Sequence, residues 1–310
     1  MNKINCIKKI DRGFFPENYI YFYNDSNLFF YSLDDDSILK FDFLEREFKI
    51  KLCYLGEDII ASKFFYSAKE NIFIVLDSNI FYSINLKNNE IIKLLILDEK
   101  LSPDSYYINY IEEINCLIFQ YKINKVLVFN LSTNTLSTLY DKINGEINSI
   151  SYSNGYLLIN TQISSFRSKI EVYLFDNLKL EDSFEFGDLI FDAFLLFEEK
   201  KILIEYTTPE RQQNNGEICI YDMKNKSFFY FKAHEKLLLK LRPYNKGSFL
   251  TYGINLRDSI EMKIWDNNLE CISSLEVDTK DFRIIFPKNN NFKRFITHYH
   301  SNIFSIWEFS

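Results

Sequence analysis

A short pattern recurs seven times along the chain and limits the folds that it can adopt. Each copy is an alternating apolar stretch that ends in an acidic or amide side chain. These polar markers are Asp42, Asn85, Asn130, Asp176, Asp222, Asp266 and Glu308. Successive markers are 43, 45, 46, 46, 44 and 42 residues apart, a period typical of chains built from similar units that stack on one another.

Each period divides into four predicted strands, which we call A to D in chain order. The second unit shows strands over 59–66, 72–76, 80–86 and 91–97, separated by polar turns. Seven such units predict an all-β fold, a seven-bladed β-propeller with four antiparallel strands per blade, in a single domain over 1–310. The predicted blades cover about 18–53, 59–97, 104–140, 146–186, 189–232, 236–277 and 281–310, the last with 3–10 added.

The last unit lacks a fourth strand, and the first residues supply a spare one. Unit seven offers strands near 282–286, 295–299 and 303–309, whereas 3–10 has a strand pattern that precedes unit one. An unpaired strand edge invites pairing with other chains. We therefore expect the N-terminal strand to close the last blade as its strand D.

Charge and composition argue against several classes of protein. The formal net charge is −7, whereas binding to a nucleic-acid backbone usually needs a basic surface, so direct nucleic-acid binding is disfavoured. No apolar run approaches the roughly 20 residues of a membrane span, and the N-terminus lacks the apolar core of a signal peptide. The five cysteines form no C-x-x-C pair and lie in apolar patterns, which predicts buried thiols in a reducing compartment. We expect an intracellular protein, cytoplasmic or nuclear.

The sixth unit carries the residues of a known repeat. Ala233-His234 precedes its strand A, and Ile264-Trp265-Asp266 ends its strand C. In these residues the chain resembles WD40-repeat proteins, which have Gly-His and Trp-Asp at these places and join a His, a Ser or Thr, an Asp and the Trp in a hydrogen-bonded tetrad. The resemblance implies a structural tetrad of His234, Thr251, Asp258 and Trp265. Asp258 lies further from Trp265 than in the family pattern.

The other units keep the period with less of the motif. Ile306-Trp307-Glu308 in the last unit is a weaker form of the Trp motif, and the remaining five units lack both the His and the Trp. The resemblance in architecture therefore covers nearly the whole chain, whereas the specific motif covers one blade.

The sequence contains no recognisable catalytic or metal-binding signature. It has no nucleophile elbow, phosphate-binding loop or zinc-protease motif. His298 and His300 could begin a metal site because both rings would share a strand face, but they lack a companion ligand and fit surface histidines better. Asp34–Asp36 fits a solvated turn better than a calcium loop. We predict no cofactor, no metal and no catalytic residue.

The B–C loops of units four to six form the best candidate docking surface. Two of them, 161–168 and 207–216, are long, and 253–258 follows in the next blade. The predicted partner-binding residues are Phe166, Arg167, Arg211 and Arg257. Arg is favoured at interfaces for its planar head with several donors. These loops are interpreted either as a docking site for an acidic partner segment or as tolerated insertions that carry solubilising charge.

The sequence favours a non-enzymatic protein–protein interaction scaffold, a subunit of a larger intracellular assembly with one or more protein partners. One alternative is a hydrolase or lyase that uses the central funnel, which would need titratable side chains from several A strands. Those strands are mainly apolar in sequence, with Lys240 and Arg283 as exceptions. The other alternative is a ribosome- or RNA-associated propeller.

Overall fold

The computed structural model describes most of the chain. The described residues are 4–11, 20–32, 36–42, 47–55, 59, 61–101, 107–122, 125–140, 145–196, 200–207, 215–244, 247–277, 283–288, 292–298 and 303–309.

The described residues form 28 strands and one short 3₁₀ turn at Glu112–Ile114. The chain begins with β1 (Ile4–Asp11). Blade one is β2 (Ile20–Asn24), β3 (Asn27–Ser32), β4 (Ser37–Asp42) and β5 (Glu47–Tyr54). Blade two is β6 (Lys63–Ser67), β7 (Ile72–Asp77), β8 (Ile80–Asn85) and β9 (Ile91–Ile96). Blade three is β10 (Ile108–Ile111), β11 (Cys116–Tyr121), β12 (Lys125–Asn130) and β13 (Thr135–Tyr140).

The remaining strands repeat the same scheme. Blade four is β14 (Glu146–Ser153), β15 (Tyr156–Ser164), β16 (Arg167–Leu174) and β17 (Lys179–Phe186). Blade five is β18 (Leu189–Leu196), β19 (Lys201–Thr207), β20 (Glu217–Asp222) and β21 (Ser227–Lys232). Blade six is β22 (Leu237–Pro243), β23 (Phe249–Ile254), β24 (Ile260–Trp265) and β25 (Cys271–Val277). Blade seven contains β26 (Arg283–Ile285), β27 (Arg294–His298) and β28 (Ile303–Phe309).

These strands make seven four-stranded sheets, and each of the first six blades pairs its strands in chain order. The described pairings are antiparallel, as expected for strands joined by short turns. The prediction of an all-β, seven-bladed propeller is therefore confirmed. The expectation that residues 1–310 form a single domain stays a prediction.

The seventh sheet takes its fourth strand from the other end of the sequence. Its order is β1-β28-β27-β26, with β1 outermost. The β1–β28 pairing is antiparallel and runs from Ile4 opposite Phe309 to Asp11 opposite Ile303, with one irregularity between Cys6 and Lys8. The predicted closure of the last blade by the N-terminal strand is confirmed.

Burial explains why the middle strands of a blade are nearly continuous apolar runs, interrupted by single buried polar residues such as Ser83 and Gln120. All six residues of β11 are buried, and the four central residues of β7 and of β8 are buried as well. A strand covered on both faces favours apolar side chains at nearly every position. The outer strand β13, in contrast, is largely exposed. Cys116 and Cys219 are buried, but Cys271 is exposed because it lies on the outer strand β25, which corrects the expectation of buried thiols at that position.

By its internal contacts the chain divides into two units. The first unit contains Ile118–Val128 and Ser137–Lys280, and the second contains Asn2–Leu117, Phe129–Leu136 and Asp281–Ser310.

In the second unit, carboxylates on A–B turns bind the backbone of a neighbouring blade. Asp25 of blade one accepts hydrogen bonds from the N–H groups of Lys293 (2.7 Å) and Arg294 (2.8 Å) in blade seven. Glu112 of blade three accepts from the N–H groups of Ala68 (3.0 Å) and Lys69 (3.2 Å) in blade two. Charge-assisted bonds of this kind are stronger than bonds between neutral groups. They fix the A–B turns of adjacent blades to one another.

In the first unit, polar side chains of blade four bind the backbone of blade five. Strand β18 carries a bulge between Ile190 and Asp192, which interrupts its pairing with β19. The N–H of Ile190 donates to Ser168 Oγ at 2.9 Å, and its carbonyl accepts from Asn160 Nδ2 at 3.0 Å and Asn148 Nδ2 at 2.9 Å. Backbone groups next to the bulge are therefore satisfied from the next blade rather than from their own sheet.

Candidate functional site

His234 is held in blade six by contacts that require two glycines. The N–H groups of Ala233 and His234 both donate to the carbonyl of Gly216 at 2.9 Å. A Cβ on Gly216 would lie 2.1 Å from the His234 carbonyl oxygen, and Gly216 also has φ +76°. A Cβ on Gly253 would lie 2.5 Å from Cγ of the His234 ring. Both positions therefore need glycine for the histidine to enter the blade.

Thr251 is the centre of a buried hydrogen-bonded group. Its Oγ1 lies 2.9 Å from His234 Nε2 and accepts a hydrogen bond from Trp265 Nε1 at 2.8 Å. Thr251 and His234 are 0% and 1% exposed. Three of the four residues that the sequence assigned to the tetrad thus lie together, and they join strands β23 and β24 to the loop before β22.

Asp258 is not part of this group, which corrects the sequence expectation. It has φ +61° in a turn organised by Asn255, whose Oδ1 accepts from the N–H groups of Arg257 (2.9 Å) and Ser259 (3.1 Å). This turn directs the Asp258 side chain, 72% exposed, outward to an ion pair with Lys236.

Glu261 occupies the place expected for Asp258. It lies opposite Gly253 in the β23–β24 pairing, and its Oε2 is 3.5 Å from His234 Nδ1. Because Gly253 has no side chain, the His234 ring can lie over it and approach Glu261. Glu261 also forms an ion pair with Lys263 at 2.9 Å, and the Lys263 ammonium lies 5.8 Å from the centre of the Trp265 ring.

The environment of His234 keeps its imidazole neutral at physiological pH. Burial lowers its pKa from 6.5 to about 4, and the charge of Lys263 acts in the same direction against the weaker effect of Glu261. A neutral, buried ring that bonds a threonine fits a structural residue. A role for His234 as a general base would instead need a nucleophile or carboxylate beside it in a pocket.

Blade seven repeats half of this arrangement. Trp307 Nε1 donates to Thr297 Oγ1 at 2.8 Å, across the β27–β28 pairing. This bond corresponds to the one between Trp265 and Thr251 in blade six. The weaker Trp motif of the last unit therefore makes the same Trp-to-Thr hydrogen bond as the motif of blade six. The sequence pattern missed Thr297 because no histidine accompanies it.

Two of the predicted docking residues lie at the tip of the β15–β16 turn. Phe166 is 55% exposed. Arg167 is also exposed and lies 3.7 Å from Glu185, too long for a strong ion pair. Arg211 lies outside the described residues.

The corresponding turn of blade six exposes a second apolar side chain. Leu256, next to Arg257, is 73% exposed, the largest fraction among the large apolar residues described. Arg257 lies near Glu276, whose pKa is lowered by hydrogen bonds from Ser259 and Asn255 and then by the charge of Arg257. The sequence prediction named the arginines and missed Leu256, although a leucine in a polar turn is a signal that could have found it.

A charged cluster lies on the first two strands of blade five and the first strand of blade six. Asp192 and Glu205 are opposite each other in the β18–β19 pairing. Lys240 Nζ lies 3.1 Å from Asp192 and 3.5 Å from Glu205. Glu205 also accepts from the N–H of Leu241 at 3.0 Å. Both A strands are mainly apolar in sequence, and besides the expected exception Lys240 they carry Asp192 and Arg242.

The cluster contains a carboxyl group that titrates near neutral pH. Burial raises the pKa of Glu205 from 4.5 to about 7, since the charge of Lys240 offsets the cost only partly and Asp192 adds to it. Burial alone would lower the pKa of Lys240, but the charges of Asp192 and Glu205 outweigh it and raise that pKa. Burial lowers the pKa of Arg242 to about 10. A group that titrates near 7 can exchange protons, although the backbone and Lys240 already engage this one.

The structure bears on metal sites and membrane spans for the described residues alone. Among the residues that the structure describes, no group of three or more His, Cys, Asp and Glu side chains could hold a metal ion. His300, Asp34 and Asp35 lie outside them. The described stretches contain no helix with the length and apolar character that crossing a bilayer requires.

Comparison with known proteins identifies the fold of the chain but not its family. No protein-family model and no curated protein matches the chain. Among solved structures, Raptor of Chaetomium thermophilum matches with TM-score 0.66 at 11% identity, over 100% of this chain and 29% of that one. A chain of the Mitotic Checkpoint Complex matches with TM-score 0.65 at 8% identity, over 99% of this chain and 93% of that one. This chain therefore spans less than a third of Raptor.

The fold and the buried group of blade six together define the class. The chain is a seven-bladed β-propeller that resembles the WD40-repeat proteins. Within that class its sixth blade has the His–Thr–Trp group, with Glu261 near the histidine, and its seventh blade keeps only the Trp–Thr bond.

Replacing Thr251 should show that its hydroxyl connects the group. Thr251→Val keeps the shape but leaves His234 and Trp265 without their buried partner, and we expect the free energy of unfolding to fall by about 2–3 kcal/mol. Thr251→Ser keeps the hydroxyl and should lose only about 1 kcal/mol for the missing methyl group. Urea denaturation measures both. Equal losses in the two variants would contradict the role assigned to the hydroxyl.

The titration of Glu205 predicts a pH-dependent stability. Because its folded pKa of about 7 exceeds the unfolded value of 4.5, its contribution is complete below pH 4.5 and is lost as the pH rises to 7. Glu205→Gln cannot titrate. The free energy of unfolding of this variant relative to the original chain should therefore rise by on the order of 3 kcal/mol between these pH values.

Urea denaturation at a series of pH values measures this difference. His234 acts in the opposite direction, since its stabilisation is lost as the pH falls from 6.5 to about 4, but it is present in both proteins and cancels. The exposed Glu235→Gln is the control and should leave the pH dependence unchanged. A constant difference between the Glu205→Gln variant and the original chain would refute the assigned titration.

Proposed function

We propose that this propeller is a non-enzymatic protein-interaction subunit of a larger intracellular assembly. The observation that carries the proposal is the pair of exposed apolar side chains, Phe166 and Leu256, at the tips of the B–C turns of blades four and six. Each is followed directly by an arginine, Arg167 or Arg257. Aromatic residues and arginine are enriched at protein interfaces, and an exposed leucine adds apolar area to such a surface.

The apolar tips supply the contact area, and the arginines orient an acidic partner segment. Glu185 lies near Arg167, and Glu276 lies near Arg257, so the surface is of mixed charge. Exposed ion pairs of this kind are weak and are readily exchanged for a partner carboxylate. Arg211 belongs to the same proposed surface through its place in the B–C loop of blade five. The Mitotic Checkpoint Complex contains a chain of this fold. This likeness supports the proposal that the present chain also works within an assembly.

A second candidate function is an enzyme that uses the inner strands, and one observation favours it. Glu205, with a pKa of about 7, lies beside Lys240 and Asp192 on adjacent blades. A general acid or base works best with a pKa near the operating pH. The geometry favours it less than the scaffold role, because both carboxylates already bind Lys240.

Affinity capture of tagged protein from its native cell extract tests the proposed docking surface. Phe166→Ala with Leu256→Ala should remove a stoichiometric partner that the original chain retains. Arg167→Glu, Arg211→Glu and Arg257→Glu together should do the same by repelling acidic residues. Ile272→Ala, which truncates a side chain of similar exposure (61%) on β25, is the control and should retain the partner. Retention by both loop variants, or capture of no stoichiometric partner, would contradict the proposal.

A further inference from the structure

The outer strand of blade five, β21, has an unbroken aromatic edge. Its sequence over Ser227–Lys232 is S-F-F-Y-F-K, with no carboxylate and no proline. Its register with β20 runs regularly from Asp222 opposite Ser227 to Glu217 opposite Lys232. The outer strands β1, β5, β9, β17 and β25 each have an irregularity in the corresponding pairing. Bulges and inward charges protect sheet edges, so β21 lacks a protection that the other described pairings have.

The side chains of β21 alternate between a packed face and an open one. Phe229 and Phe231 pack against the apolar cluster that blades five and six share. Phe228 and Tyr230 point to the opposite side, towards blade four, and are 40% and 57% exposed. β21 pairs with β20 on one side only, so its outer edge is open to a further strand. Two aromatic side chains on one face of β21 provide the alternating contacts that such a strand would use.

The rings of the open face pack against rings of blades four and five. The Phe228 ring lies 4.9 Å from that of Tyr221, 5.3 Å from that of Phe184 and 5.7 Å from that of Phe186. The Tyr230 ring lies 5.8 Å from that of Tyr206. Such ring contacts restrict the rotamers of Phe228 and Tyr230 before a partner binds, which lowers the entropy cost of binding.

Positive charge lies at the end of this face where β21 begins, near Ser227. A cleft of about 180 Å³ between blades four and five adjoins the turn before β21. Its lining residues are Tyr156, Glu181, Leu195, Lys200, Met223, Lys224 and Lys226. Lys226 pairs with Asp182 at 2.7 Å, and Glu181 pairs with Lys179 at 3.1 Å. Lys200 and Lys224 leave this end with an excess of positive charge.

The other end of the face, near Lys232, contains two carboxylates, Glu217 and Asp188. Glu217 lies 3.5 Å from the Tyr206 hydroxyl. Burial raises the pKa of Tyr230, and Cys219 and the nearby carboxylates of Asp188 and Glu217 raise it further. Lys232 donates to the carbonyl of Asn215 at this end. The edge is therefore electrostatically polar along its length, which favours one direction for a charged segment laid beside it.

We propose that the outer edge of β21 binds an extended segment of a partner protein by strand addition. The segment carries apolar side chains at alternate positions, which pack on Phe228 and Tyr230, and acidic residues at the end that lies near Lys200 and Lys224. Backbone hydrogen bonds to β21 supply affinity, and the rings and lysines supply sequence preference. This site is separate from the B–C turns and does not depend on the function proposed for them.

Selection from a library of random displayed peptides against the full chain tests this proposal. We expect enriched peptides to combine alternating apolar residues with Asp or Glu at one end. A synthetic peptide of the most enriched sequence should bind at least about tenfold more weakly to Tyr230→Lys, which places a charge on the edge, and to Lys200→Glu with Lys224→Glu. Tyr230 and both lysines are exposed, so these variants should keep the melting temperature of the original chain.

Two controls separate this edge from other surfaces. Ile272→Lys makes the same kind of change on β25, and Phe166→Ala with Leu256→Ala removes the loop tips; neither should weaken peptide binding. Enrichment of no such pattern, or unchanged binding to both edge variants, would overturn the proposal. Concentration-dependent dimerisation that Tyr230→Lys abolishes would also overturn it, because the edge would then belong to a second copy of this chain.

Discussion

The pairing of β1 with β28 is the interaction on which the architecture depends. Strands β26 to β28 make a sheet of only three strands, and the backbone groups along the outer side of β28 would be open to solvent or to another chain. By supplying the fourth strand, residues 4–11 join the two ends of the sequence within one sheet. Asp25 adds to this connection, since it binds the backbone of Lys293 and Arg294 from blade one.

Stability in this propeller does not rest on a repeated tetrad. The described His–Thr–Trp group occurs in blade six, and elsewhere other polar contacts do comparable work. Between blades two and three the Tyr110 hydroxyl lies 2.8 Å from both Ser67 Oγ and Asn115 Oδ1. Among the described side chains, what the blades share is burial of most of strand B and of much of strand C. Because burial is non-directional, many sequences satisfy it. This explains how the period survives while the motif is lost.

Sequence reasoning reached the strands and, by counting them, the closure of the last blade, but it failed where turn geometry and packing between blades decide the position of a side chain. The period, the four strands of each blade and the spare N-terminal strand follow from alternation and spacing. The role given to Asp258 failed because turn geometry, with Asn255 as its centre, decides where that carboxylate points. Glu205 could not be found, since its raised pKa comes from burial, which depends on how blades five and six pack together. Likewise, the absence of a bulge in β21 is a property of its pairing with β20.

The most direct test of the account is the register between β1 and β28. In a chain with Cys6→Ser, we would introduce Lys9→Cys with Ser305→Cys, which lie opposite each other. Opposite residues in an antiparallel pair are about 4.5–5.5 Å apart at Cα, within reach of a disulfide. The account predicts that this pair cross-links under mild oxidation, as monitored by mass spectrometry, whereas Lys9→Cys with Glu308→Cys does not. Failure of the first pair, or equal cross-linking of both, would contradict closure of the propeller by its N-terminal strand.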